Sequence, residues 1–284
     1  MSTQRSHAPY EYVCAIGSRQ FYGLDKGDRL MSFDPVHLFE ILVAAHICTG
    51  TVGLISMWVP IVGRKGGRNH KRWGKVFSYA LLATGTIAIG ISLCTLSAPL
   101  ETHPFSDDEP LVIGIFGWMM MYLATLTIML AWYGLLCIRN KNHHERNRNV
   151  VNVVLQIATF IAAANCAWYG IQLGNGLMIG ISTIGLSAAV LNTHFIFRRT
   201  PPVNEWLIQH TRGAVGAGIS VYTAFLAFGA VNLLPAYAFN PVLWATPTVL
   251  GVSLLLYHQA KITRQRRRLA ARTAGTLEPG TQAS

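Results

Sequence analysis

Ten histidines are the unusual chemical ingredient of this 284-residue chain, because most of them stand in or beside apolar segments that hold few other ionisable groups. His46 is the deepest. It falls about ten residues, or roughly 15 Å of helix, inside the first apolar segment. An ionisable group at such a depth is a functional candidate by default. Its roles would be axial ligation of haem, proton carriage or ligand binding. The structural alternative is a neutral imidazole bonded to a carbonyl or to a partner such as Asn165. His70, His194, His210 and His258 fall near the ends of four other segments, all on one side of the membrane. Two imidazoles at one depth on different helices, with cations nearby for propionates, are what a b-type haem requires. His194 with His210 or His258, beside Arg198 and Arg212, is the expected pairing. His46 has no histidine at equal depth, which argues against two stacked haem pairs. Neutral imidazoles would also hold zinc. Glu145 and Glu205 are the nearest carboxylates to the inner group, and both fall in loops, so a zinc hydrolase is short of a general base.

The elements that must position these residues follow from hydropathy and charge. Apolar stretches run near 36–62, 73–98, 110–138, 149–172, 176–197, 208–233 and 240–260. Each reaches the roughly 20 residues needed to cross a hydrocarbon core. Only 12% of residues are charged and 51% are hydrophobic, where a soluble domain carries about 25% charged residues. Backbone in lipid must satisfy its own hydrogen bonds, so the fold class is all-α integral membrane. Basic residues alternate by connection. Arg64, Lys65, Arg68, Lys71, Arg72 and Lys75 follow the first segment. Arg139, Lys141, Arg146 and Arg148 follow the third, and Arg198, Arg199 and Arg212 the fifth. The intervening connections lack Lys and Arg, and one holds Glu101, Asp107, Asp108 and Glu109. Positive connections stay in the cytoplasm. The expectation is seven transmembrane helices, amino terminus outside and carboxyl terminus cytoplasmic.

On this reading residues 1–34 form an extracytoplasmic tail, 35–261 the membrane domain, and 262–284 a basic, disordered cytoplasmic tail. The first 34 residues contain no apolar signal core. The pattern fits a bacterial cytoplasmic membrane. The net charge of +11 suits anionic lipids at the cytoplasmic face rather than nucleic acid. A homo-oligomer or a membrane partner fits the same composition. The five cysteines, with no C-x-x-C pair, read as small core residues rather than thiolate ligands. Gly85, Gly90, Gly213, Gly216 and Gly218 mark faces where helices approach closely. Asn152, Gln156, Asn165 and Gln172 put a polar stripe on the fourth helix, either interhelical bonding or the lining of a solute path.

Two stretches echo each other. His70-Lys71-Arg72-Trp73-Gly74 opens the second helix, and His210-Thr211-Arg212-Gly213 opens the sixth. They suggest a 3+1+3 plan of parallel repeats joined by the fourth helix. The stretch His46-Ile47-Cys48-Thr49-Gly50, followed by a basic loop and His70 to Gly74, resembles an uncharacterised family of bacterial multi-pass membrane proteins, a domain of unknown function. The resemblance covers residues 36–98 and implies a shared helical fold without an established activity. More distantly, the helix-borne histidines resemble those of cytochrome b561-type proteins, which implies haem b. The functional expectation is a b-type haem or quinone-linked redox protein, with His46, His70, His194, His210 and His258 as candidate cofactor-binding residues. The alternatives are a small-solute transporter or channel, with His46 and the polar stripe along its path, and a non-catalytic accessory subunit or sensor.

Overall fold

The structure, a computed structural model, describes residues 34–226 and 241–275, with side chains described to residue 226 and over 246–265. Every regular element among these residues is helical. The first crossing-length unit joins α1 (Pro35–Ser56) to the short α2 (Trp58–Val62). Its start is written in the sequence: Asp34 Oδ1 accepts from the Val36 amide at 2.9 Å, and Pro35 takes the first helical position, where no amide is needed. A turn with Gly66 at φ 74° leads to α3 (Arg68–Ser97). After the one-turn helices α4 (Pro99–Thr102) and α5 (Glu109–Val112), a π-helical segment Ile113–Met119 runs into α6 (Met120–Arg139). A 3₁₀ turn, His144–Arg148, connects to α7 (Val150–Gln172), which Asn149 caps. Gly174, at φ 61°, makes the tight turn into α8 (Gly176–Phe197), capped by Asn175. Then come α9 (Glu205–Ala224) and α10 (Pro241–Gly275).

Five units are long and apolar enough to cross a membrane: Pro35–Val62, Arg68–Ser97, Glu109–Arg139, Val150–Gln172 and Gly176–Phe197. They coincide with the first five apolar stretches read from the sequence. On α7, Val150, Val154, Ile157, Ile161, Trp168 and Ile171 are all more than half exposed. A stripe of that length on a soluble protein would be an aggregation surface, whereas lipid solvates it. The sixth stretch continues into residues outside the described ones. Most of the amino-terminal tail and residues 276–284 also lie outside them. α10 runs on to Gly275, so residues 262–275, which composition alone suggested to be disordered, are helical. They hold Arg, Gln, Leu and Ala, good helix formers, and no Gly or Pro until the final residue.

α6 is the hub. α3, α7 and α9 pack around it, α1 lies against α3, α8 against α7, and α10 against α9. Tyr122 and Met129 are fully buried on this central helix, with Met119 of the π-helical segment, Leu81 of α3 and Cys166 of α7. Lipid tails are as apolar as leucine, so close backbone approach and polar bonds must supply the attraction between helices. Glycines supply the approach. A Cβ at Gly213 would lie 2.7 Å from Gly134 Cα and 2.8 Å from Leu130 O, so α6 and α9 touch backbone to backbone. A Cβ at Gly85 would meet Ile128 Cγ1 at 2.6 Å, and one at Gly90 would meet Leu42 at 3.0 Å. Polar bonds cross the same seams: Thr127 Oγ1 to Ser220 Oγ at 2.7 Å, and Tyr133 Oη to Gln209 Oε1 at 2.9 Å. Among the described residues one contact that a 3+1+3 plan expects does not recur. In parallel repeats α8 would lie along α9 as α1 lies along α3, but α8 instead packs along α7.

Candidate functional site: a histidine and basic cluster at one end of the bundle

At the end carrying the basic connections, the structure brings together residues from α2, α3, α6, α9 and α10. His70 Nδ1 lies 3.1 Å from the Pro60 carbonyl oxygen, and His210 Nδ1 lies 2.8 Å from that of Gly134. A carbonyl only accepts, so Nδ1 is the protonated nitrogen in each ring and Nε2 carries the free lone pair. This arrangement, one ring nitrogen donating to a backbone carbonyl, is also how proteins orient ligating histidines. The His210 bond lies on the glycine seam, where the close Gly134–Gly213 contact brings the α6 backbone within reach of α9. His70 and His210 stand near enough for charge on one to oppose charge on the other.

His258 of α10 sits near Lys65 and Lys261. Lys65 Nζ donates to the carbonyls of Pro60 and Ile61 at 2.8 and 2.6 Å, closing the carboxyl end of α2. Desolvation and then the Lys261 charge hold its ammonium below the usual lysine range. Arg212 Nη2 donates to Gln259 Oε1 at 3.4 Å, joining α9 to α10. An open groove of about 710 Å³ lies beside this cluster, lined by Trp58, Val59, Val62, Arg64, Arg68 and His70 among others. Trp58 is fixed there by its indole N–H, which donates to Tyr222 Oη at 2.6 Å. Residues 41–100 and 206–277 contain no Asp or Glu, so α2, α3 and α10 bring no carboxylate to this end.

The other candidates fall elsewhere. His194 is exposed on α8, and α8 packs along α7, away from α10; the expected pairing of His194 with His210 or His258 therefore does not form. His46 is half buried on α1, with Nδ1 3.2 Å from the Thr84 carbonyl oxygen of α3. Its partner is that carbonyl rather than Asn165, which stands on α7. His46 and Trp58 are separated by about 18 Å of helix, so His46 is not part of the cluster. The polar stripe of α7 splits. Asn152 and Gln156 are buried in an amide ladder: Asn152 Nδ2 to Asn147 O at 2.8 Å, Gln156 Nε2 to Asn152 Oδ1 at 3.4 Å, and Asn192 Nδ2 to Gln156 Oε1 at 3.3 Å. The ladder ties α7 to α8 and to the turn before α7. α1 lies beyond α3 on the far side of α6, so His46 and this stripe do not line one path. At the opposite end His103 is 6% exposed, among the rings of Phe39, Phe105 and Phe116 at centroid distances of 5.3, 5.5 and 4.4 Å. Burial pushes its imidazole down to about 4, against a smaller opposing effect of the Pro99 backbone. Among the described residues no group of three or more His, Cys, Asp or Glu is arranged to hold a metal ion, and the four described cysteines are free.

Sequence reasoning missed Pro60, Gly134 and Trp58. Pro60 was accessible to it: the last carbonyls of a helix need partners, and Lys65 and His70 are the next donors along the chain. Gly134 carried no such signal, because its role arises from a contact between segments far apart in sequence. No family model, curated protein or solved structure matches this chain. The resemblance carried by His46–Gly50 and His70–Gly74 thus rests on those residues alone.

Proposed function

We propose that this chain is a seven-span protein of the bacterial cytoplasmic membrane, amino end outside, that holds a redox group at its cytoplasmic end between His70 and His210. The observation that carries the reading is the pair itself. Two imidazoles from different helices have Nδ1 committed to backbone carbonyls and Nε2 left as acceptors, within electrostatic reach of each other. Arg212 belongs to the same end and suits a carboxylate of a porphyrin or a carbonyl oxygen of a quinone. A b-type haem would supply one-electron transfer; the two imidazoles would hold it and set its orientation. A quinone would use the same nitrogens as acceptors for its hydroxyl protons in the reduced form.

The test is an absorption spectrum of detergent-purified protein, oxidised and then dithionite-reduced, after expression with added haem precursor, together with solvent extraction for bound quinone. A Soret band with sharpened α and β bands on reduction, lost in both His70→Ala and His210→Ala but kept in His194→Ala, supports haem. A flat spectrum with co-extracted quinone, depleted by the same two substitutions, supports quinone. Protein free of both after reconstitution with each overturns the reading.

A further inference from the structure

Arg64 and Arg68 form no ion pair among the described residues and stand beside an apolar wall, and this asks for a counter-ion of particular shape. Arg64 and Arg68 flank the turn between α2 and α3, and both are exposed. Trp58 and Val62 line the same groove and are 55% and 82% exposed. Lys65 in the same turn and Lys261 of the neighbouring α10 add charge. Their mutual repulsion is relieved by an anion. A free inorganic anion would answer the charge but make no use of the indole and valine wall. An amphiphile answers both, with an anionic head at the guanidinium groups and a hydrocarbon chain along the wall.

We infer that the groove between α2 and the start of α3 is a binding site for one anionic phospholipid, its phosphate held by Arg64 and Arg68 and one acyl chain laid against Trp58, Val59 and Val62. The site goes beyond the redox reading and does not depend on it. The phosphate accepts from two guanidinium groups, the pairing that planar forks favour. The acyl chain is already in the bilayer, so little ordering is needed beyond fixing one tail. Such a lipid would also bridge the α2–α3 turn to α10 by drawing Lys261 toward the same head.

The experiment is native mass spectrometry of the full chain in detergent, titrated with a phosphatidylglycerol, a phosphatidylcholine of the same acyl chains, and inorganic phosphate. The expected result is one retained phosphatidylglycerol, preferred over phosphatidylcholine and not displaced by excess phosphate. The double variant Arg64→Gln/Arg68→Gln should weaken retention roughly thirtyfold, the product of two lost charge contacts at a membrane surface. Val62→Asp should weaken it too, with the basic residues intact. The control Lys141→Gln/Arg146→Gln, in another basic connection, should leave it unchanged. Equal weakening by that control would mean diffuse surface attraction and overturn the site, as would displacement by phosphate or equal retention of phosphatidylcholine. Loss of lipid with an intact haem or quinone signal, or the reverse, separates this site from the redox site.

Discussion

His103 shows how burial alone can give a residue a pH signature. Its imidazole lies among three phenyl rings outside the membrane spans, and in the unfolded chain it would titrate at its ordinary value near 6.5. The folded value near 4 is lower, so the unfolded chain binds the proton first as pH falls. Stability is therefore full above about 6.5, declines from there to about 4, and levels off below. A shift of this size corresponds to at most on the order of 3 kcal/mol. Thermal unfolding in detergent should show a midpoint that drops over this window in the wild type and a flatter profile in His103→Leu. Equal slopes would mean that His103 is not the titrating group. Residue identity announced part of the cluster: His70 and His210 open two helices with similar neighbours, and both form the same kind of Nδ1 bond. His194 looked equivalent on paper because its depth is right. Depth is legible from a hydropathy pattern, but the rotation of a helix about its axis depends on neighbours, and α8 turned this histidine outward.

Among elements, the decisive contact is the seam between α6 and α9. Glycine was recognisable as a packing residue at Gly213, but nothing local to Gly134 tied it to a segment some eighty positions away. The consequence is testable by paired substitution. Gly213→Val forces a side chain into the α6 backbone and should cost about 1–3 kcal/mol or more, lowering the thermal midpoint and weakening whatever His210 binds. Gly74→Ala meets nothing within 4 Å and should be neutral or slightly stabilising, by up to about 1 kcal/mol of helix propensity. Matching losses in both would show that helix glycine content, rather than the seam, sets stability. The helix starts were more legible than the seams. Asp34, Asp108, Asn149 and Asn175 all cap where a short polar side chain precedes an apolar run, as local chemistry requires. The end of α10 was less so, because basic residues read as a solvated tail while their backbone propensity is helical.

At the scale of the whole molecule, the alternation of basic and acid-bearing connections carries the proposed orientation. In a variant lacking the five native cysteines, Asp107→Cys should react with a membrane-impermeant maleimide on intact cells. Asn142→Cys should react only after the membrane is opened. The reverse pattern would invert the topology and put the histidine cluster outside. The order of the helices in space was not available from the chain, since hydropathy marks apolar segments and not which of them touch. The π-helical segment Ile113–Met119 then acquires a meaning beyond local geometry. A π turn holds more residues than an α turn, so it works as a vernier between two rulers: it resets the angular phase of everything after it. Gly114 and Gly117 within it face Leu173 and Leu96, while Gly134 beyond it faces Gly213. Removing one residue from that segment would rotate the lower half by about 100° relative to the upper. The acceptor carbonyl of Gly134 would swing off α9, although no residue near His210 had changed.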